Sequence, residues 1–167
     1  YTTGNTLSLH DALPISLNEE LRGEEAIAIG VLKGSFMFYS DLIRCVESDV
    51  ACDFCAVSSY HNSAKSSGEV RLTLDINASL TNRTVILVED IVDTGLTMNF
   101  LKTHIQTRKP KKLITVSLLL KPDALKEPCH IDHIGFEIAN DFVVGYGLDY
   151  QGLYRNLPYI AQVQSMN

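Results

Sequence analysis

The chain predicts an α/β protein: a mainly parallel, twisted sheet flanked by helices, in one domain. Two observations carry that expectation. Apolar, largely β-branched runs recur at residues 26–31, 85–88 and 113–120 without polar alternation, as in strands buried on both faces. Stretches of helical spacing follow at 36–45 and 97–107, and strands that alternate with helices make a parallel sheet. A length of 167 residues suits one domain with a substantial core.

In chain order, residues 1–16 show no clean period of either kind and no basic segment followed by an apolar one, so they are not a secretory signal. They read as an atypical, non-native extension, with the domain proper spanning 17–167. The strand at 26–31 ends in the turn Leu32-Lys33-Gly34-Ser35, after which Phe36, Tyr39, Leu42 and Ile43 fall near helical spacing. A second strand covers 51–60. From His61 to Gly68 the residues are mostly Ser, Asn, Lys and Gly, a mobile loop by composition. Residues 70–74 alternate and suit an antiparallel arm that carries the loop. The strand at 85–89, the helix at 97–107 and a strand at 113–120 that stops at Lys121-Pro122 come next. Short extended pieces at 134–138 and 142–147 lead to Asp149.

Composition narrows the function. A formal charge of -6 and a pI near 5.3 argue against a nucleic-acid or anionic-membrane partner. No apolar stretch reaches the roughly 20 residues of a membrane span. Basic charge gathers only at Lys109-Pro110-Lys111-Lys112, after a helix, where cations complement the dipole and solubilise the loop. Cys52 and Cys55 invite a redox or metal reading, but on a strand a separation of three places them on opposite faces, and Cys45 and Cys129 supply no second half of a zinc site. A reduced, cytoplasmic protein is the expectation.

The most informative segment is Val85-Ile86-Leu87-Val88-Glu89-Asp90-Ile91-Val92-Asp93-Thr94-Gly95-Leu96-Thr97. A buried strand is expected to end at two adjacent carboxylates and to pass through a small-residue loop into a helix. Open α/β sheets bind ligands at the carboxyl ends of their strands. A helix N-terminus there offers free N–H groups and a positive dipole end to an anion. Thr94 and Thr97 add hydroxyls, and Gly95 lets the backbone approach the ligand. The segment is therefore a phosphate cradle beside two acids able to hold Mg²⁺ through ribose oxygens, a pattern suited to a sugar phosphate.

These residues resemble the phosphoribosyl-pyrophosphate (PRPP) motif of the purine phosphoribosyltransferases, and within them the 6-oxopurine (hypoxanthine-guanine) branch. Three further blocks match in order: Gly30-Val31-Leu32-Lys33-Gly34-Ser35, Ser58-Ser59-Tyr60, and residues 142–150, Phe142-Val143-Val144-Gly145-Tyr146-Gly147-Leu148-Asp149-Tyr150. The resemblance runs from about residue 17 to the end. It implies a type I phosphoribosyltransferase fold with a small hood and a flexible lid loop. It further implies Mg²⁺-dependent transfer of 5-phosphoribosyl from PRPP to hypoxanthine or guanine, giving IMP or GMP and pyrophosphate, by a homodimer or homotetramer.

The roles implied fall on matching positions. Asp93, Thr94, Gly95, Leu96 and Thr97 would hold the 5′-phosphate, with Asp93 the general base. Glu89 and Asp90 would face the ribose and Mg²⁺, and Asp149 a second Mg²⁺. Lys33, Gly34 and Arg155 would bind pyrophosphate, with a cis peptide in that turn. Lys121 would donate to the purine O6, Phe142 would stack on the ring and the Val143 backbone would read its edge. Ser59 and Tyr60 would belong to the lid. Taken singly, each residue has a plainer reading: Lys33 or Lys121 a solvated strand terminus, Phe142 core, Asp149 and Arg155 a surface pair, Asp93 an N-cap. Their joint order over most of the chain tells against those. A regulator that keeps the fold and binds RNA would want a basic face, which an acidic chain does not offer. Transferases for adenine, orotate or uracil fit Lys121 and Phe142-Val143 less well. The helix that precedes the first strand in the family has no evident counterpart.

Overall fold

The structure, a computed structural model, describes residues 12–59 and 70–163. In chain order these form α1 (Ala12–Leu21), β1 (Ala26–Leu32), α2 (Phe36–Arg44), β2 (Val50–Ser59), β3 (Val70–Leu74), β4 (Thr84–Val92), α3 (Leu96–Gln106), β5 (Lys112–Leu120), β6 (His133–Glu137), β7 (Val143–Val144) and β8 (Ala161–Gln162). Six strands make one sheet in the order β3-β2-β1-β4-β5-β6, parallel except for the β3 edge. β7 and β8 form a separate antiparallel pair.

The period of two along β1 divides the core. Ala26 and Ala28 face α1 and α2, where Leu13, Leu17, Leu21, Phe38, Tyr39 and Leu42 are buried against them. Ile27 and Ile29 face the other way, onto Met98, Leu101 and Ile105 of α3. Full burial of a Leu or Ile side chain contributes about 1.5–3 kcal/mol, so the two layers hold the central strands from both faces.

α1 corrects the expectation that no helix precedes the first strand. Leu13, Leu17 and Leu21 recur every fourth residue and are all buried, so the periodicity runs straight across the 16/17 boundary. Pro14 sits in the first turn, where its missing N–H costs little. The helix is tied down at its side: Ser16 Oγ lies 2.9 Å from His133 Nδ1, His133 Nε2 lies 2.6 Å from Glu20 Oε2, and Lys112 Nζ lies 2.7 Å from Glu20 Oε1. Lys111 reaches Glu24 at 2.9 Å. Two lysines of the basic run are thus fasteners for the foot of the sheet, beyond the solubilising part expected of them.

β3 is the antiparallel arm expected at 70–74, joined to β2 through Ser59 and Val70 after a register shift at Ala56/Val57. Tyr60 and the lid to Gly68 lie outside the described residues, and Ser59 is described by its backbone alone. β4 is longer than expected. It continues through both carboxylates to Val92, because β5 keeps pairing with it: Glu89 with Ser117, Ile91 with Leu119, Val92 with Leu120. Of the extended piece expected at 142–147, only Val143–Val144 is strand, since Gly145, Tyr146 and Gly147 all take positive φ (93°, 52° and 101°) and turn the chain.

From β1 the chain runs outward to β2, then returns to β4 on the other side of β1 and proceeds to β5 and β6. Neighbouring connections therefore diverge between β1 and β4, which opens a crevice at their carboxyl ends.

Candidate active site

The β1 side of the crevice is the turn after Leu32. The Leu32-Lys33 peptide is cis, as the resemblance implied. Ser35 is fully buried, and its Oγ donates to the Val31 carbonyl at 2.7 Å, closing the turn under α2. Lys33 is exposed. Gly34 is pressed against Asp90: a Cβ at Gly34 would lie 1.8 Å from Asp90 Oδ2 and 2.5 Å from its Cγ. Only glycine leaves room for that carboxyl group.

On β4, Glu89 and Asp90 are neighbours in sequence and so project to opposite faces of the strand. Asp90 meets Gly34, while Glu89 lines a cavity of about 80 Å³ with Asp93, Thr94, Gly95, Thr97 and Met98. Burial, with the charge of Asp90 beside it, holds the Glu89 carboxyl well above the ordinary range, and its Oε2 has no hydrogen-bond partner among the described residues. Burial also pushes Asp90 up to about 6, against backbone hydrogen bonds and the nearby Arg155 charge that pull it down.

The loop beyond β4 builds an anion cradle. Gly95 caps α3 with φ 81°, a left-handed conformation that favours glycine, and it offers no side-chain cap to the first-turn N–H groups. A following loop closes over it: Lys126 N donates to Thr94 O at 3.1 Å, and a Cβ on Gly95 would come within 3.0 Å of Cys129 Cβ. The N–H groups of Leu96 and Thr97 therefore stand at the positive end of α3 beside that cavity.

Lys121 follows the end of β5 and is held by its backbone N–H, which donates to Val92 O at 2.9 Å. Its side chain is 8% exposed, with Nζ 3.8 Å from Asp93 Oδ2, whereas Asp93 is 50% exposed. A nearly buried ammonium thus stands beside an accessible carboxylate. Phe142 is half exposed and meets Tyr150 edge to face, with centroids 5.7 Å apart. Val143 is fixed by pairing with Gln162 across β7 and β8.

The hood brings the last two expected residues together. Arg155 Nη2 lies 2.6 Å from Asp149 Oδ1, and Arg155 Nη1 donates to Gly147 O at 2.6 Å. Gly147 abuts the β1 turn so closely that a Cβ there would lie 2.0 Å from Gly34 O. The structure therefore brings Gly34, Asp90, Gly147 and Arg155 into one contact chain, and Glu89, Lys121 and Asp93 to Thr97 into another around the β4 terminus. Sequence reasoning missed Asp41, whose Oδ2 accepts from the Tyr146 hydroxyl at 2.5 Å, and the buried Ser35. Asp41 carries no sequence signal beyond a polar position on a helix; Ser35 lies in a matched block, but nothing local signals its burial.

A phosphate cradle, acids and a donor lysine around a sheet switch point define a protein that handles a phosphorylated sugar. The chain belongs to the phosphoribosyl transferase domain family, whose model matches residues 3–151. It is 42% identical over 152 residues to a hypoxanthine-guanine phosphoribosyltransferase of Staphylococcus aureus, covering 91% of this chain and 85% of that one. Among solved structures it is similar to a hypoxanthine-guanine phosphoribosyltransferase of Bacillus anthracis (TM-score 0.88, 45% identity, 93% of this chain and 91% of that one). It is also similar to a hypoxanthine phosphoribosyltransferase of Trypanosoma cruzi, studied for the role of its C-terminal region in oligomeric state and activity (TM-score 0.86, 38% identity, 93% and 85% covered).

Proposed function

We propose that the chain transfers 5-phosphoribosyl from PRPP to N9 of hypoxanthine or guanine, forming IMP or GMP and releasing pyrophosphate. The observation that carries the reading is the nearly buried Lys121 ammonium 3.8 Å from Asp93, on the loop that forms the phosphate cradle. A lysine donor there suits a 6-oxo group and leaves two donors facing each other when the base carries a 6-amino group, so adenine is a poor substrate.

The roles proposed are those the family resemblance implies, and each suits the chemistry of its position. Asp93, Thr94, Gly95, Leu96 and Thr97 hold the 5′-phosphate; Lys33, Gly34 and Arg155 hold the diphosphate; Phe142 and Val143 hold the base. Departure of the diphosphate leaves positive charge on the ribose ring, and no enzyme nucleophile is needed. Alignment of base and sugar, with fixed cations on the leaving group, lowers the barrier. Asp93 takes the purine proton as the new C–N bond forms. Ser59 and Tyr60, with the loop after them, exclude water.

Mg²⁺ fits the donor set. Asp90 and Asp149 offer hard oxygens on the Gly34 side of β4, Glu89 Oε2 is buried without a partner among the described residues on the cradle side, and no group of three His, Cys, Asp or Glu among those residues forms a complete cage. Mg²⁺ keeps waters and takes substrate oxygens, so a site of one or two carboxylates suits it. Bound there, it neutralises charge on the diphosphate. The four cysteines are all free thiols, and the proposed assembly is a cytoplasmic homodimer or homotetramer. Pyrophosphate release with hypoxanthine, guanine, xanthine and adenine in parallel, with and without Mg²⁺, tests the reading. Equal turnover of adenine, or none with any base, overturns it.

A further inference from the structure

The turn Gly145-Tyr146-Gly147 docks on the other side of the crevice at two points. Gly147 packs on Gly34, with room for no Cβ, and the Tyr146 hydroxyl donates to Asp41 Oδ2 at 2.5 Å. Asp41 lies on α2, whose N-terminus is the buried Ser35 of the β1 turn, and Tyr39 N donates to Ser35 O at 2.7 Å. Both docking points therefore belong to the rigid body that carries Lys33 and Gly34. On the hood, Gly147 is tied to Arg155 twice: its N–H donates to Arg155 O at 3.0 Å, and its carbonyl accepts from Arg155 Nη1 at 2.6 Å.

We infer that the Tyr146 hydroxyl and the Asp41 carboxylate form a positioning clamp that sets the separation of Arg155 and Asp149 from the Lys33-Gly34 turn. The inference rests on the proposed phosphoribosyl transfer. The base contacts are anchored separately, by pairing of Val143 with Gln162 and by Val163 N donating to Phe142 O at 2.8 Å. Loosening the clamp therefore acts on the diphosphate end and spares the purine end. Asp41 also pairs with the exposed Arg44, a neighbour on the same helix.

The test is steady-state kinetics on Tyr146→Phe, Asp41→Ala, the double variant and Arg44→Ala. Loss of a hydrogen bond to a charged acceptor raises the KM for PRPP about tenfold in either clamp variant. The KM for hypoxanthine stays within about twofold, and the double variant is no worse than either single one, as two halves of one contact require. Arg44→Ala behaves as wild type. Unchanged KM for PRPP in Tyr146→Phe, an equal rise in both KM values, additive losses in the double variant, or the same loss in Arg44→Ala each overturns the clamp. Pyrophosphate binding, measured calorimetrically with Mg²⁺, gives a readout independent of turnover and weakens by the same factor in both clamp variants; equal binding overturns the inference as well. A wild-type protein without transferase activity refutes the functional reading instead, and the two failures are told apart.

Discussion

Alanine at Gly34 tests the contact chain at its tightest link. The backbone there has no positive φ, so the substitution adds no conformational penalty and the clash is the whole perturbation. The new Cβ would lie 1.8 Å from Asp90 Oδ2 where ordinary contact begins at 3.4 Å, so the two must separate by about 1.6 Å. Rotation of the carboxyl does not relieve this, because Cγ itself would be 2.5 Å away and Asp90 is nearly buried. Overpacking of this kind costs about 1–3 kcal/mol, which a domain with a stability of roughly 5–15 kcal/mol survives. Activity suffers more, since a misplacement of about 1 Å at a reacting centre costs on the order of a hundredfold. Pyrophosphate release with varied PRPP should show kcat/KM down by about two orders of magnitude, while urea denaturation shows a folded protein with a lowered midpoint. A variant with kcat/KM within about threefold of wild type would refute the reasoning.

Three further outcomes are expected. Lys121→Met removes the donor for the 6-oxo group, so the advantage of hypoxanthine over adenine shrinks, by about tenfold or more, in competition assays; an unchanged ratio assigns discrimination elsewhere. Asp93→Asn keeps the shape and removes the base, and kcat falls by about a hundredfold or more while the KM for PRPP moves little; near-normal turnover removes Asp93 from that role. Asp132 accepts from both Thr115 N and Thr115 Oγ1, at 2.8 and 2.6 Å. Burial opposes ionisation of Asp132, but these hydrogen bonds outweigh it and hold the carboxyl below its ordinary 3.8. The native state thus binds fewer protons than the unfolded chain, and the contribution is present above 3.8 and lost as the pH falls through the lowered native value. Asp132→Asn should be less stable than wild type at neutral pH, with the gap closing in acid; a gap independent of pH contradicts the assignment.

The parallel sheet, the cradle after β4, Lys121 and the antiparallel arm were legible because each is written locally: an apolar run, a glycine between a strand and a helix, a strict alternation. α1 was not legible. Its three leucines span a boundary drawn by composition, and the contacts that justify it come from His133 and Lys112, more than 90 residues away in the chain. The length of β4 was misjudged for a related reason. Carboxylates ordinarily end a buried strand, but here Ser117, Leu119 and Leu120 of β5 continue the ladder past them. The two acids consequently serve opposite faces, where adjacency alone suggested one shared task. The Tyr146–Asp41 contact joins residues 105 apart and depends on three successive positive-φ residues, a geometry that no local pattern announces.

At the proposed diphosphate site, main chain meets main chain: Gly34 and Gly147 leave no side chain between the turn and the hood. Neither glycine can be exchanged to suit a different leaving group without prying the two halves apart. An effort to retarget the enzyme to other nucleobases has its freedom at Lys121, Phe142 and Val143, so altered specificity should be won on that rim while the donor of the sugar stays the same.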